Sequence, residues 1–423
     1  MAPPLQPAPA GGDLTMRQAS DRTVHRALGV IGDELTGVTY VRFDQPFRHL
    51  REHGFELSTL GASLTLTRGA GGYVPDPRLL DGVALLIFPQ MIASPRLPDG
   101  SRLDVVEPLC DAAAARGIPI VYSVDDALDR IETHNPAYET IQGAIANLGV
   151  ILARSDALIV TTPELARRLA GLRRPTHLLP NAIEPRRWTL RPRTSGELRV
   201  GWSGSASHLD DLLLILPAIR RLQERIEFRF VLHGLTCRPI AEEVEEIGRL
   251  RGGLSASRRA RADAFLEMAG ILRAIRHRHV PFGSLESFFK TLPALDLDIG
   301  LCPLLDTPFN RHKSALKFYE YAAAGSMTIA SAVPPYASEV SALAANTVDA
   351  WRDTLERYLG DREARETELR VQREFVLAER SIERLKSRWA EALTAILAAP
   401  RGGRASGPSP KPIAPAAREA RRA

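Results

Sequence analysis

From His25 onward, short apolar runs alternate with stretches in which apolar residues recur every three or four positions. RALGVIG, FELSTLG, VALLIFP, IPIVYSV, ALIVTT and THLLPN read as strands, with helices over Gln45 to His53 and Leu103 to Arg116 among them. Strands separated by helical lengths of chain predict a parallel, doubly wound sheet. From Glu184 to Glu197 the chain is rich in proline and arginine without periodicity, which marks a linker. A second alternation then begins with LRVGWSG, a helix from Asp210 to Arg225, and FRFVLHG. Leu297 to Leu304 is apolar throughout, as a strand covered on both faces must be, and a helix stopped by Gly325 joins it to a strand at Thr328 to Ala330. Further helices are predicted over Val348 to Leu359 and, unbroken, over Arg362 to Leu397.

The charged segment 238–279 reads as a helical excursion. Phe265, Met268, Ala269, Leu272 and Ile275 share one face of it, flanked by arginines. That face is expected to pack on its own domain, a lipid-surface or partner helix being the alternative. Residues 1–24 and 400–423 are too poor in large apolar groups to fold and are expected to be disordered tails. Between them the pattern places a domain at 25–185, a linker at 186–197, a second domain at 198–372 and a final helix at 373–399.

Doubly wound sheets bind ligands beyond the carboxyl ends of their strands, so the candidate chemistry lies in the stretches there. The first strand runs into Asp33 to Val38, where Gly37 would let backbone approach a ligand. IPIVYSV runs into Asp125 and Asp126. Adjacent carboxylates at a strand end can accept hydrogen bonds from sugar hydroxyls or act as a base, and can equally cap the next helix. We expect one of each. Gly201, Ser203, Gly204, Ser205 and His208 lie in a glycine-containing stretch that reads as a loop presenting N–H groups to phosphate. The strand after it ends in His233 and Gly234 instead of an acidic residue, which argues against a nicotinamide dinucleotide.

The sharpest signal precedes Gly325. Read as helical from Lys313, the segment sets Lys313, Lys317 and Glu320 on one stripe. Cations at the start of a helix oppose its dipole, at a cost of a few tenths of a kcal/mol unless an anion is bound (about 0.3–1 kcal/mol). Of the 55 basic residues only Lys290, Lys313, Lys317, Lys386 and Lys411 are lysine, so two of the five fall close together here. A compact ammonium grips phosphate as a point charge, solvated surface lysines being the alternative. Asp296-Leu-Asp298 spells a metal-binding DxD but opens a buried strand instead of closing one, so no metal is expected.

The net charge of +5 owes much to Arg401, Arg404, Arg418, Arg421 and Arg422 in the tail, and no basic stripe interleaved with aromatics appears. Nucleic acid is therefore not an expected partner, although the tail can touch anionic lipid weakly. Cys110, Cys237 and Cys302 are odd in number and widely spaced, which fits a reducing cytoplasm. No apolar run reaches the length of a membrane span, so a cytoplasmic protein is expected, peripheral at the inner membrane face at most.

LGVIGDELTGVTYVRFDQPFRHL, VYSVDDAL, SDALIVTTPELARRL, LLPNAIEPRRW, VGWSGSASHLDDL and LDIGLCPLLDTPFNRHKSALKFYEYAAAG together resemble, in order, the blocks of the retaining glycosyltransferases of the group 1 superfamily, family 4 of the sugar-nucleotide enzymes. The resemblance implies the α/β GT-B fold: two Rossmann-like, doubly wound parallel-sheet domains facing across a cleft, with the last helix crossing back to the first. It implies a nucleotide diphosphate sugar donor, UDP- or GDP-linked or another, held mainly by the second domain. It also implies a glycan or lipid-linked glycan acceptor on the first, near Gly37, Asp125 and Asp126. In that family a pair of glutamates holds the donor. The second matches Glu320, expected on the ribose hydroxyls, and the first falls on His312. The FNxxKSxLKFxEY pattern adds Asn310 and Ser314 to the donor side and makes Lys313, Lys317 and His312 catalytic candidates, while the family's usual arginine and lysine are missing between Trp202 and His208. The expected activity is metal-free, cofactor-free sugar transfer with retention. A catalytically silent glycan- or partner-binding protein, suggested by His312, is the alternative, and a sugar-nucleotide epimerase the third reading.

Overall fold

The computed structural model describes residues 24–31, 37–61, 66–69, 72–89, 104–135, 137–142, 144–190 and 196–400. The tails expected at 1–24 and 400–423 lie, but for Val24 and Pro400, outside the described residues, as does the segment 32–36 ahead of Gly37.

The first lobe holds β1 (His25–Ile31), β2 (Phe55–Gly61), a hairpin of β3 (Leu66–Gly69) and β4 (Gly72–Pro75), β5 (Leu85–Phe88), β6 (Ile120–Val124), β7 (Ala157–Val160) and β8 (Thr176–Leu178). The second holds β9 (Arg199–Ser205), β10 (Arg229–Leu235), β11 (His277–Val280), β12 (Ile299–Cys302), β13 (Met327–Ser331) and β14 (Leu343–Ala344). Apart from the hairpin they form two six-stranded sheets, β2-β1-β5-β6-β7-β8 and β11-β10-β9-β12-β13-β14, parallel at every pairing.

Alternation along the strands feeds two cores per sheet, as the pleat requires. Leu86, Phe88, Ile120, Tyr122, Leu158 and Val160 enter one core of the first lobe, while Leu85, Ile87, Val121, Ala157 and Ile159 enter the other. Full burial of each such side chain is worth roughly 1.5–3 kcal/mol. The second core is completed by the helix Ile382–Ala398, whose Leu385, Trp389, Leu393 and Ile396 pack on the first lobe. Tyr40 meets Phe289 at 5.2 Å between ring centroids, and Trp188 meets the same ring at 5.2 Å, forming an aromatic seam between the lobes.

Two expected elements differ from those found. The helix expected from Arg362 to Leu397 is two, Arg362–Glu379 and Ile382–Ala398. Ile183 breaks it by donating to the Arg380 carbonyl at 2.8 Å and accepting from Ile382 N–H at 2.8 Å. Arg380 is held by Glu339 at 2.9 Å. The excursion 238–279 comprises Ile240–Leu250 and Ala256–Leu272 and ends sooner, because residues 277–280 form the edge strand β11. Its HRHV sequence hid it, since an edge strand only partly covered needs no apolar run. The Phe265 to Ile275 face packs into the core of its own lobe.

Candidate functional site

Gly201 to Ser205, expected as a loop, continues β9, which pairs with β10 as far as Ser205. The turn follows at Ala206–His208 and the helix at Leu209–Gln223. Tyr321, on the helix Leu316–Ala324, docks on this strand: its hydroxyl accepts the Ser203 N–H at 2.6 Å. The ring can lie there because Gly300 has no side chain, and a Cβ at that position would come within 2.5 Å of it. Docking sets Lys317 beside the carboxyl end of β9.

Lys317 Nζ stands 4.9 Å above the Trp202 ring. Gly204 keeps that space open, since a Cβ there would lie 2.7 Å from the indole and 3.2 Å from Nζ. Among the described residues Lys317 forms no ion pair, and burial pushes its pKa down. Glu320 follows on the same helix, where burial pushes its carboxyl up to about 7 against the pull of Lys317. Both side chains keep some accessible surface while their charged ends are densely surrounded. The N-cap residue of this helix, Ala315, makes no side-chain cap. An ammonium that makes no ion pair, carried on the first turn of a helix whose N-cap residue offers no side chain to its N–H groups, makes a place for an anion.

Lys313 lies outside the helix. It is extended after the turn Asn310–His312, and the helix begins only at Leu316. Side chains on either side of Lys313 bond elsewhere. Asn310 Nδ2 donates to the Leu305 carbonyl at 3.0 Å, and Ser314 Oγ accepts from Asn181 at 2.8 Å across the cleft. Lys313 therefore reaches the first lobe, 3.3 Å from Asp126 and 4.4 Å from the Phe309 ring centroid.

Behind these groups stand residues that sequence reasoning missed. Asp211 is buried; its Oδ2 meets His208 Nδ1 at 2.7 Å, and its Oδ1 accepts the Leu305 N–H at 2.7 Å. Burial and then Lys317 push His208 down, with Asp211 acting in the opposite sense. A carboxylate only accepts, so the proton sits on Nδ1 and Nε2 is left as an acceptor. In the first lobe Asn181 accepts from the buried Arg42 at 3.0 Å and donates to Asp125 at 2.9 Å. Burial, reinforced by Asp126, pushes Asp125 up, with Arg42 and Asn181 pulling the other way. The turn Leu128–Arg130 that follows starts on Ala127, which offers no side-chain cap, while Asp125 Oδ1 accepts from Asn181.

The remaining candidates are placed as follows. His312 bonds the Pro308 carbonyl through Nδ1 at 2.8 Å, and its own carbonyl accepts from Thr162 at 3.1 Å. Ser203 Oγ meets His233 Nδ1 at 2.9 Å, and Ser205 Oγ meets Ser207 Oγ at 2.7 Å. Gly37 is exposed, and no atom of the described residues lies within 4 Å of where its Cβ would stand. Asp298 accepts the Arg199 N–H at 2.8 Å at the amino end of β12, opposite to the site. Among the described residues no cluster of three or more His, Cys, Asp or Glu side chains is arranged to hold a metal ion, and no helix is long and apolar enough to cross a membrane.

Glu320 carries a pH prediction. Its folded pKa of about 7 is above the ordinary 4.5, so the stability it contributes is full below about 4.5 and is lost as pH rises through 7. Glu320→Gln should match the wild type at pH 4.5 and be more stable at pH 8, by on the order of 1–3 kcal/mol. Urea titrations at the two pH values check this, and a less stable variant at pH 8 would contradict it.

No protein-family model and no curated protein matches the chain. Solved structures do. A glycosyltransferase from Rickettsia africae ESF-5 aligns with a TM-score of 0.59 at 10% identity, over 89% of this chain and 100% of its own. An alpha-glucosyltransferase in complex with UDP aligns at 0.57 and 11% identity, over 87% and 99%. An alpha-glucosyltransferase in complex with UDP and a 13-mer DNA containing a HMU base aligns at 0.56 and 12% identity, over 88% and 100%. The shared architecture is the GT-B fold.

Proposed function

We propose that the chain is a glycosyltransferase that moves a sugar from a nucleotide diphosphate sugar to a glycan or lipid-linked glycan. The observation that carries the reading is the Lys317 ammonium, which forms no ion pair among the described residues, on the first turn of Leu316–Ala324 at the carboxyl end of a central strand, with Glu320 on the same helix. The fold shared with glycosyltransferases, some solved with UDP, supports it.

Donor phosphates lie against Lys317 and the helix N–H groups, and Glu320 accepts from ribose hydroxyls. The bond from the anomeric carbon to the phosphate oxygen breaks while a bond to an acceptor oxygen forms. The acceptor proton leaves with the nucleoside diphosphate. Negative charge builds on the departing diphosphate, and a fixed ammonium stabilises that charge most where water is excluded. Asp126 and Lys313 face each other across the acceptor side, and retention follows the family resemblance. The acceptor is read as a glycan, not nucleic acid, because the charge surplus is small and sits largely in the tail.

Thermal-shift screening of UDP- and GDP-sugars, followed by assay for acceptor-independent donor hydrolysis, tests the reading. Ligand at a hundred times its dissociation constant adds about 2.7 kcal/mol. Stabilisation with slow release of free sugar is expected; stabilisation with no hydrolysis or transfer favours a silent binding protein. We also propose that turnover needs no divalent metal, because Asp296 and Asp298 lie at the wrong end of the sheet. Activity abolished by EDTA and restored by magnesium or manganese would contradict that.

A further inference from the structure

We propose that a cavity of about 690 Å³ between the two lobes binds the phosphate group of a phosphorylated saccharide, the acceptor in the reading above. One wall comes from Thr133 to Asn135 and Glu139 of the first lobe, the other from the end of β10 and the helices Ile240–Leu250 and Ala256–Leu272. Arg258, Arg261, Ala262 and Phe265 follow the i, i+3, i+4, i+7 stripe of the last helix, so one helical face supplies both the charge and the apolar floor.

The charges are unequal. Glu139 of the first lobe is taken by Arg258 at 2.6 Å, and Glu243 by Arg238 at 2.8 Å. His134 is taken by Asp210 at 2.9 Å. Arg261 is left: half-buried, it forms no hydrogen bond or ion pair among the described residues, and burial lowers its pKa while Glu243, itself held by Arg238, pulls the other way from a distance. A desolvated guanidinium with no hydrogen-bonded acceptor is unfavourable until an oxyanion supplies one, and its planar fork fits a phosphate bidentately. The volume exceeds what a lone phosphate fills and falls in the range of about 300–1,000 Å³ that holds a small molecule. Leu235, Leu254 and Phe265 offer apolar surface to sugar ring faces.

Position connects the cavity to the transfer site. Ala206 lines it, two residues beyond the Gly204 that faces Lys317. Asn135 bridges the lobes there, donating to the Ser207 carbonyl at 3.4 Å. A saccharide whose phosphate is held at Arg261 can extend toward the donor.

Calorimetry of the full chain with glucose 1-phosphate tests the proposal. Arg261→Ala is expected to weaken binding more than tenfold and Arg238→Gln several-fold, while Lys317→Ala changes it less than twofold. Melting temperatures establish that each variant is folded, and Arg261→Gln provides a second probe of the position. Three results would overturn the site: no binding at millimolar concentration, equal binding of glucose, or loss on Lys317→Ala with none on Arg261→Ala. Glucuronic acid bound as tightly as glucose 1-phosphate would also overturn the phosphate assignment. The acceptor role rests on the glycosyl-transfer reading, whereas phosphate binding at Arg261 does not. A chain that binds glucose 1-phosphate through Arg261 and no nucleotide sugar would refute the function alone.

Discussion

Replacing Lys317 with alanine is expected to lower kcat by about 10²–10³, the loss typical of deleting one preorganised charge-stabilising donor. The expectation rests on where the ammonium sits. Lys317 is held over Trp202 in the space that Gly204 leaves, and among the described residues it forms no ion pair, Asp211 and Glu320 acting on it only from a distance. A charge so placed needs no reorganisation as the diphosphate departs. Because its benefit grows as the leaving group gains charge, kcat should fall more than donor affinity. Lys317→Arg keeps the charge but replaces a compact ammonium with a wide planar fork that must fit between Trp202 and the Gly204 backbone, so it should recover only part of the rate. Lys313→Ala should cost less turnover, since Lys313 already has Asp126 as a partner at 3.3 Å. Steady-state kinetics decide the matter: near wild-type turnover in Lys317→Ala would place the chemistry elsewhere.

The strands were legible because both faces of a parallel sheet are covered, and continuous apolar runs such as LLIF and IVYSV have no other use. β11 was not, because an edge strand can be HRHV. Lys317 and Glu320 could be placed together from helical spacing, which is a local property of the chain. Lys313 could not, because the helix begins only at Leu316 and the neighbouring Ser314 bonds to Asn181, a residue distant in sequence. The glycines of β9 misled for a related reason. They suggested a phosphate-binding loop, whereas Gly204 makes room for a lysine and Gly201 for Leu297, whose side chain a Cβ would meet at 2.5 Å. Asp211 and Asn181 gave no signal, since each acts by joining segments far apart in sequence. Asp211 fixes both His208 and the loop at Leu305, and only the folded chain brings these together.

The largest loss of stability among single substitutions near the site is expected at Arg42, about 3–5 kcal/mol for Arg42→Ala, as for breaking other buried charged networks. Arg42 is only 1% exposed and yet charged, since burial lowers its pKa only to about 10. Its guanidinium donates to the Leu179 carbonyl at 3.0 Å, to Asn181 Oδ1 at 3.0 Å and to Ser123 Oγ at 3.3 Å, and it lies 5.1 Å from the Trp389 ring centroid. Truncation leaves those acceptors without a donor, opens a void against Trp389, and removes the cation that pulls the Asp125 pKa down. The variant should therefore hold Asp125 neutral to higher pH than the wild type does. Raised folded pKa values make stability fall as pH rises, so the deficit of Arg42→Ala should widen from acid toward neutral pH. Asp126→Asn provides the contrast, because it breaks one partly exposed ion pair to Lys313 and should change stability by less than about 1 kcal/mol. Urea unfolding followed by tryptophan fluorescence checks both, and an Arg42→Ala midpoint equal to that of Asp126→Asn would show that this buried network does not hold the first lobe's side of the cleft in place.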